Sequence, residues 1–156
     1  MADLSLDQLN AFIVRAKAAT YVGGGVHAAP CRPGSRDLRF EDRPFAYLDS
    51  YFGGADFLGE EVVYHEGKPV WAMNYYGRIL EPGLIGAAQA GQVIQASLSA
   101  MYLEGRFLGG FQCPVGDFTY FDTSEGDVTS FIGREWITRG DVHVYELLYH
   151  GGLIKD

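Results

Sequence analysis

The chain has 156 residues, is 47% hydrophobic and carries a formal net charge of −8, which fits a single domain over residues 1–156 with a sizeable core. Twenty acidic against twelve basic residues, with no run of like charge, exclude non-specific binding to nucleic acid or to an anionic membrane surface. Glycine fills 21 positions, nearly twice the usual share, in no collagen-like or low-complexity pattern, and so is expected at turns, bulges and close backbone approaches.

The chain opens with Met1-Ala2-Asp3-Leu4-Ser5, acidic where a secretory signal needs a basic region, so a cytoplasmic location is expected. Ser5 with Gln8 three residues on is a capping box, and Leu9, Phe12, Ile13 and Ala16 follow at helical spacing. Tyr21 to Gly25 closes that helix, and Cys31-Arg32-Pro33-Gly34-Ser35 reads as a turn-rich connection. From Leu38 onward the pattern turns to strands. Phe45 to Phe52 is aromatic and extended; Phe57 to Tyr64 and Val70 to Tyr76 flank His65-Glu66-Gly67-Lys68 as a hairpin. After Pro82-Gly83, Ala87, Ala90, Ile94, Leu98 and Met101 recur three and four apart, which predicts a second helix. Leu84 to Leu103 lacks formal charge, but its glutamines, serines and glycines make it too polar for a membrane span. Phe131 to Thr138 and Val142 to Tyr149, around Arg139-Gly140-Asp141, form a second hairpin.

The expected architecture is α+β, a curved, mostly antiparallel sheet of about six strands with one or two covering helices, wrapped around a cavity or covered on both faces. The two hairpins share one sheet, against which Leu9, Phe12 and Ile13 pack. No βαβ alternation appears, and no internal repeat is read beyond the two hairpins. Cys31 and Cys113 lack a CxxC spacing and are expected as buried free thiols; neither a metal nor a cofactor is expected.

Tyr21-Val-Gly-Gly-Gly25, Arg32-Pro-Gly-Ser-Arg-Asp-Leu38, Tyr47-Leu-Asp-Ser-Tyr-Phe-Gly-Gly54, Phe57-Leu-Gly-Glu-Glu61, Pro69-Val-Trp-Ala-Met-Asn-Tyr-Tyr-Gly77 and Tyr149-His-Gly-Gly152 together resemble a bacterial family of domains of unknown function. Its members occur alone or behind an XRE-type helix-turn-helix head in transcriptional regulators. The resemblance runs from about Phe12 to the C-terminus and implies a regulatory context but no reaction. Too few helical residues precede the glycine run to make such a head, so DNA binding by this chain is not expected.

The candidate ligand-binding residues are Arg32, Asp37, Tyr47, Asp49, Trp71, Asn74 and His150, with at least four expected to converge on one concavity. Arg32 and Asp37 form either a clamp for an anionic ligand or a loop-locking ion pair. Asp49 lies between Tyr47 and Tyr51 on one strand face, where aromatic surroundings raise a carboxyl pKa; the alternative is a carboxylate satisfied by tyrosine hydroxyls. Glu60 and Glu61 are adjacent and point to opposite faces. Trp71, Met73 and Tyr75 share one face of their strand and Asn74 lies on the other. His150 is set off by Gly151 and Gly152, which would leave its surroundings open to a ligand. His143 and Glu146 fall on opposite faces, and no metal set forms.

A binding or sensor-type domain for an unknown small molecule accommodates these residues best. An enzyme using His150 or Asp49 as acid or base comes second, because no nucleophile motif, metal set or cofactor loop accompanies them. A protein-interaction module comes third, with a second copy of the chain as the candidate partner.

Overall fold

The structure, a computed structural model, describes residues 4–22 and 26–156. Met1 to Asp3, and the Gly23-Gly24-Gly25 stretch expected to end the first helix, lie outside the described residues.

Helix α1 spans Leu6–Lys17, and Ser5 caps it as the sequence predicts: its side chain accepts from the Gln8 amide at 3.4 Å. A π-helical turn over Ala18–Val22 continues it. Leu9, Phe12, Ile13 and Ala16 are fully buried, and Phe12 stacks on Phe45 with ring centroids 5.0 Å apart. The stripe that marked the helix is therefore the stripe that docks it. Helix α2, Ala87–Leu103, starts at Gly86 and buries Ala90, Val93, Ser97, Leu98, Met101 and Tyr102. No helix among the described residues is long and apolar enough to cross a membrane.

The strands are β1 (Val26–Ala28), β2 (Arg36–Asp42), β3 (Phe45–Gly53), β4 (Phe57–His65), β5 (Lys68–Ile79), β6 (Phe111–Val115), β7 (Phe118–Asp127), β8 (Ser130–Arg139) and β9 (Val142–Leu153). All pair antiparallel in one nine-stranded sheet ordered β1-β2-β3-β4-β5-β9-β8-β7-β6. This corrects the expectation of a curved sheet of about six strands; the α+β class is kept. The missed strands carry weak local signals. β1 has three residues, β6 contains Pro114, and β7 runs through Thr123-Ser124-Glu125-Gly126-Asp127. Pairing with a neighbour, not intrinsic propensity, holds such segments extended. Pro114 is tolerated because β6 is an edge strand. The two predicted hairpins, β4–β5 and β8–β9, lie side by side through the β5–β9 pairing.

The register uncovers an internal repetition that the sequence reading missed. Tyr75 of β5 pairs with Tyr149 of β9 at the centre of the sheet. Outward from that pair the two halves match position by position. Gly59 faces Tyr75 as Gly133 faces Tyr149, Asp49 faces Glu61 as Asp122 faces Glu135, and Tyr47 faces Val63 as Tyr120 faces Ile137. Gly53 and Gly126 sit at the same bend with φ of +90° and +91°, each so close to a backbone carbonyl, of Asp56 and Ser130, that a side chain has no room. The first half is a helix followed by five strands, β1 to β5, and the second a helix followed by four, β6 to β9, which match β2 to β5. The first half places α1 near β2 and β3, and the second places α2 near β6 and β7.

Candidate functional site

Beneath the helices, on the face carrying Trp71, Met73 and Tyr75, lies a cavity of about 490 Å³. Its floor is the repeated motif. Its mouth is framed by Arg36, the bend at Gly53, Gly54 and Ala55, and the exposed Ala87, Ala88, Gly91 and Gln92 of α2.

Four carboxyl groups line the cavity: Asp49 and Glu61 from one half, Asp122 and Glu135 from the other. All four residues are under one-tenth exposed. Alternation along each strand turns them inward, and cross-strand pairing sets them opposite one another in twos. Two glycines make this possible. At Gly59 a Cβ would run into Tyr75, and at Gly133 into Tyr149. Each tyrosine ring instead lies over its glycine and its hydroxyl reaches the strand beyond: Tyr75 donates to Asp49 at 2.6 Å and Tyr149 to Asp122 at 2.7 Å.

The halves then part company. In the first, Lys17 at the end of α1 donates to both Glu61 oxygens at 2.9 Å and contacts Met73 Sδ at 3.2 Å, while the Tyr47 hydroxyl also donates to Glu61. In the second, α2 carries no charged residue along its length. Tyr120 lies beside Glu135 outside hydrogen-bond geometry; its hydroxyl, Asp122 Oδ2 and the Tyr145 hydroxyl are buried with no hydrogen-bond partner among the described residues. Tyr102 of α2 also lines the cavity.

Burial governs the electrostatics. Desolvation, reinforced by Glu61, raises the Asp49 pKa well above the carboxylate range, against the pull of the Tyr75 hydrogen bond and of Lys17. Desolvation, with the Asp122 charge next, pushes Glu135 up to about 8. Desolvation carries Asp122 to about 6, opposed by Tyr149, Arg106 and Lys17. Tyr102, Tyr120, Tyr145 and Tyr149 are all raised by burial and by these carboxylates, so their hydroxyls stay protonated donors. The cavity can therefore accept or release protons near neutral pH and offer several hydroxyl donors.

The seven residues singled out from the sequence divide between the two faces of the sheet. Asp49 lines the cavity; Tyr47 stands behind it on Glu61, and Trp71 is fully buried nearby, donating Nε1–H to the Val128 carbonyl at 3.1 Å. Asn74 and His150 are exposed cross-strand partners on the opposite face. Arg32, also exposed, lies 3.5 Å from Glu60, not against Asp37. Asp37 is buried under its own loop, accepting from the Cys31 amide at 3.1 Å, from Ser35 at 2.7 Å and from Ser50 at 3.0 Å. Burial works to raise its pKa, but those hydrogen bonds outweigh it and the net shift is downward. Asp37 is thus a loop lock without Arg32, and the expected convergence of four residues on one concavity is not what the sheet produces.

Gly151 and Gly152 do not open the surroundings of His150. Their missing side chains let the backbone pass close to Ala72 and Thr129. Cys31 and Cys113 are free, but Cys31 is exposed and Cys113 half-buried, against the expectation of buried thiols. Among the described residues no group of three or more His, Cys, Asp or Glu side chains is placed to hold a metal ion.

Sequence reading overlooked Lys17, Asp122, Glu135, Tyr145 and Tyr149. The signal was present as a repeat: Tyr47-x-Asp49 with Tyr120-x-Asp122, Gly59-x-Glu61 with Gly133-x-Glu135, and Tyr75-x-Gly77 with Tyr149-x-Gly151. No curated protein and no solved structure matches the chain. One family does, over residues 49–154, a span that takes in all four cavity carboxylates but not Lys17. On that match the chain belongs to DUF5680, a family of domains of unknown function.

Proposed function

We propose that the chain is a small-molecule-binding domain of the sensor type, as its resemblance to bacterial domains attached to XRE-type regulators suggests. The observation that carries this reading is the cavity of about 490 Å³ between α2 and the sheet, within the range of small-ligand sites. Its lining combines apolar side chains such as Phe57, Ile94 and Leu98 with a few converging carboxyl and hydroxyl groups. That is the composition by which a pocket holds and orients one ligand.

The test uses the mouth. A Cβ at Gly91 meets nothing within 4 Å, and the residue sits inside a helix that gains propensity when glycine is replaced by tryptophan. Gly91→Trp therefore blocks entry while leaving the melting temperature unchanged or higher. In a thermal-shift screen of cationic, neutral and anionic small molecules, compounds that stabilise the parent protein should lose their effect on Gly91→Trp. A screen without hits, or hits that stabilise both proteins equally, would remove the pocket reading.

A second reading, acid–base catalysis, draws on Asp49, whose raised pKa and Tyr75 contact suit a proton shuttle within the cavity. It predicts turnover of a bound ligand that Asp49→Asn abolishes without loss of binding.

A further inference from the structure

We infer that the Asp122–Glu135 pair is the subsite for a ligand's ammonium group, and that the cavity's ligand is a small organic cation. The inference rests on the binding reading above and names its ligand class.

The argument comes from the repetition. The first half shows how this motif is satisfied when it is complete: an ammonium, that of Lys17, sits on the β4 glutamate with both oxygens at 2.9 Å. The second half builds the same carboxyl pair on the same register, opposite Tyr149 where the first has Tyr75. It supplies no cation from its helix. Two basic groups act on the pair: Arg106 on Asp122, a guanidinium spent on Glu104 and on the carbonyls of Leu108 and Gly110, and Lys17 on both carboxyls, an ammonium spent on Glu61. What remains is buried and unsatisfied: Asp122 Oδ2 and the Tyr145 hydroxyl have no partner among the described residues, and both residues line the cavity. A buried polar atom without a partner is costly, and a carboxyl pair at such a site favours a donor that also carries positive charge. A ligand ammonium occupying this half would restore the match between the two halves, and its apolar body would extend under α2 toward Leu98 and Ile94.

The protein itself offers a test without a known ligand. Tyr102 of α2 lines the cavity and feels the charges of Glu61, Glu135 and Asp122. Tyr102→Lys should place an ammonium on the pair as Lys17 does on Glu61, and Tyr102→Met supplies a straight-chain neutral control. At pH 8 the urea midpoint of Tyr102→Lys should equal or exceed that of Tyr102→Met, and adding Glu135→Gln should erase the advantage. A midpoint below the Met control, or one indifferent to Glu135→Gln, overturns the inference. Should the Tyr102 variants not fold, the parent protein is titrated calorimetrically at pH 8 with 2-phenylethylamine, 2-phenylethanol and phenylacetate. The amine should bind at least tenfold more tightly than the other two, and Glu135→Gln should weaken it at least tenfold. An alcohol or acid that binds as well as the amine and is excluded by Gly91→Trp refutes the ammonium subsite and leaves the pocket standing. Absence of any preference for the amine refutes the subsite as well.

Discussion

The two halves of the sheet are built alike and finished differently. Both place an aspartate opposite a glutamate, both lay a tyrosine over a glycine to reach that aspartate, and both bend at a glycine of positive φ. Yet the half under α1 neutralises its glutamate with Lys17, and the half under α2 sets no cation of its own helix on its pair. The strands explain the likeness, because register and alternation are fixed by the sheet. The helices explain the difference. The comparison teaches that the helix laid over this motif decides whether its glutamate has an ammonium partner within the chain.

The comparison breaks most sharply at Lys17. Breaking a buried ion pair leaves an uncompensated charge, so Lys17→Met should destabilise the fold by about 4 kcal/mol at neutral pH, read from urea denaturation. Adding Glu61→Gln should recover most of that. A loss under about 1 kcal/mol in the single variant would mean that the first half is no more satisfied than the second.

A smaller effect is read by pH, where burial raises the pKa of Asp49 in the first half together with those of the pair in the second. The Glu135 and Asp122 carboxyls have folded pKa values raised above their unfolded ones, so their contribution to stability is fully present below about pH 4 and is lost as pH rises through about 6 and about 8. Between pH 5 and pH 8 the Glu135 contribution alone amounts to about 3 kcal/mol at most. Stability of the parent protein should fall across that window, and Glu135→Gln should make the fall shallower, with Asp49 and Asp122 supplying what remains. A profile that rises with pH, or one unchanged by Glu135→Gln, would show that Glu135 is already ionised and paired.

The smallest effect sharpens the likeness instead. Gly59→Ala and Gly133→Ala each push a methyl into a tyrosine ring, with an overpacking cost of about 2 kcal/mol. The two losses should agree within about 0.5 kcal/mol, and any departure from additivity in the double variant reads the coupling through the Tyr75–Tyr149 pair. Unequal losses would argue that one tyrosine can swing away from its aspartate and the other cannot.

Much of the frame was legible in the residues. The cap at Ser5, the apolar stripe of α1, the second helix from Ala87 and the two hairpins all follow from periods of 3.6 and 2 and from turn glycines. The opposite orientation of Glu60 and Glu61 also follows, since successive strand side chains alternate. So does the pKa direction at Asp49, whose aromatic neighbours announce burial.

Tertiary structure decided the rest. Short or polar strands such as β1, β6 and the end of β7 become strands only because a partner offers hydrogen bonds, which no local pattern records. Arg32, Asn74 and His150 looked like pocket residues by chemical type, but register turned Asn74 and His150 to the outer face, where one residue of alternation is enough, and the loop before β2 set Arg32 beside Glu60. Lys17 sat unnoticed at the end of a helix, since nothing local shows that a chain turn will bring it onto a glutamate 44 residues away. The sequence determined which residues can be inside, through period and propensity; only long-range pairing determined which of them meet, because a contact between distant strands is set by the register of every strand between them.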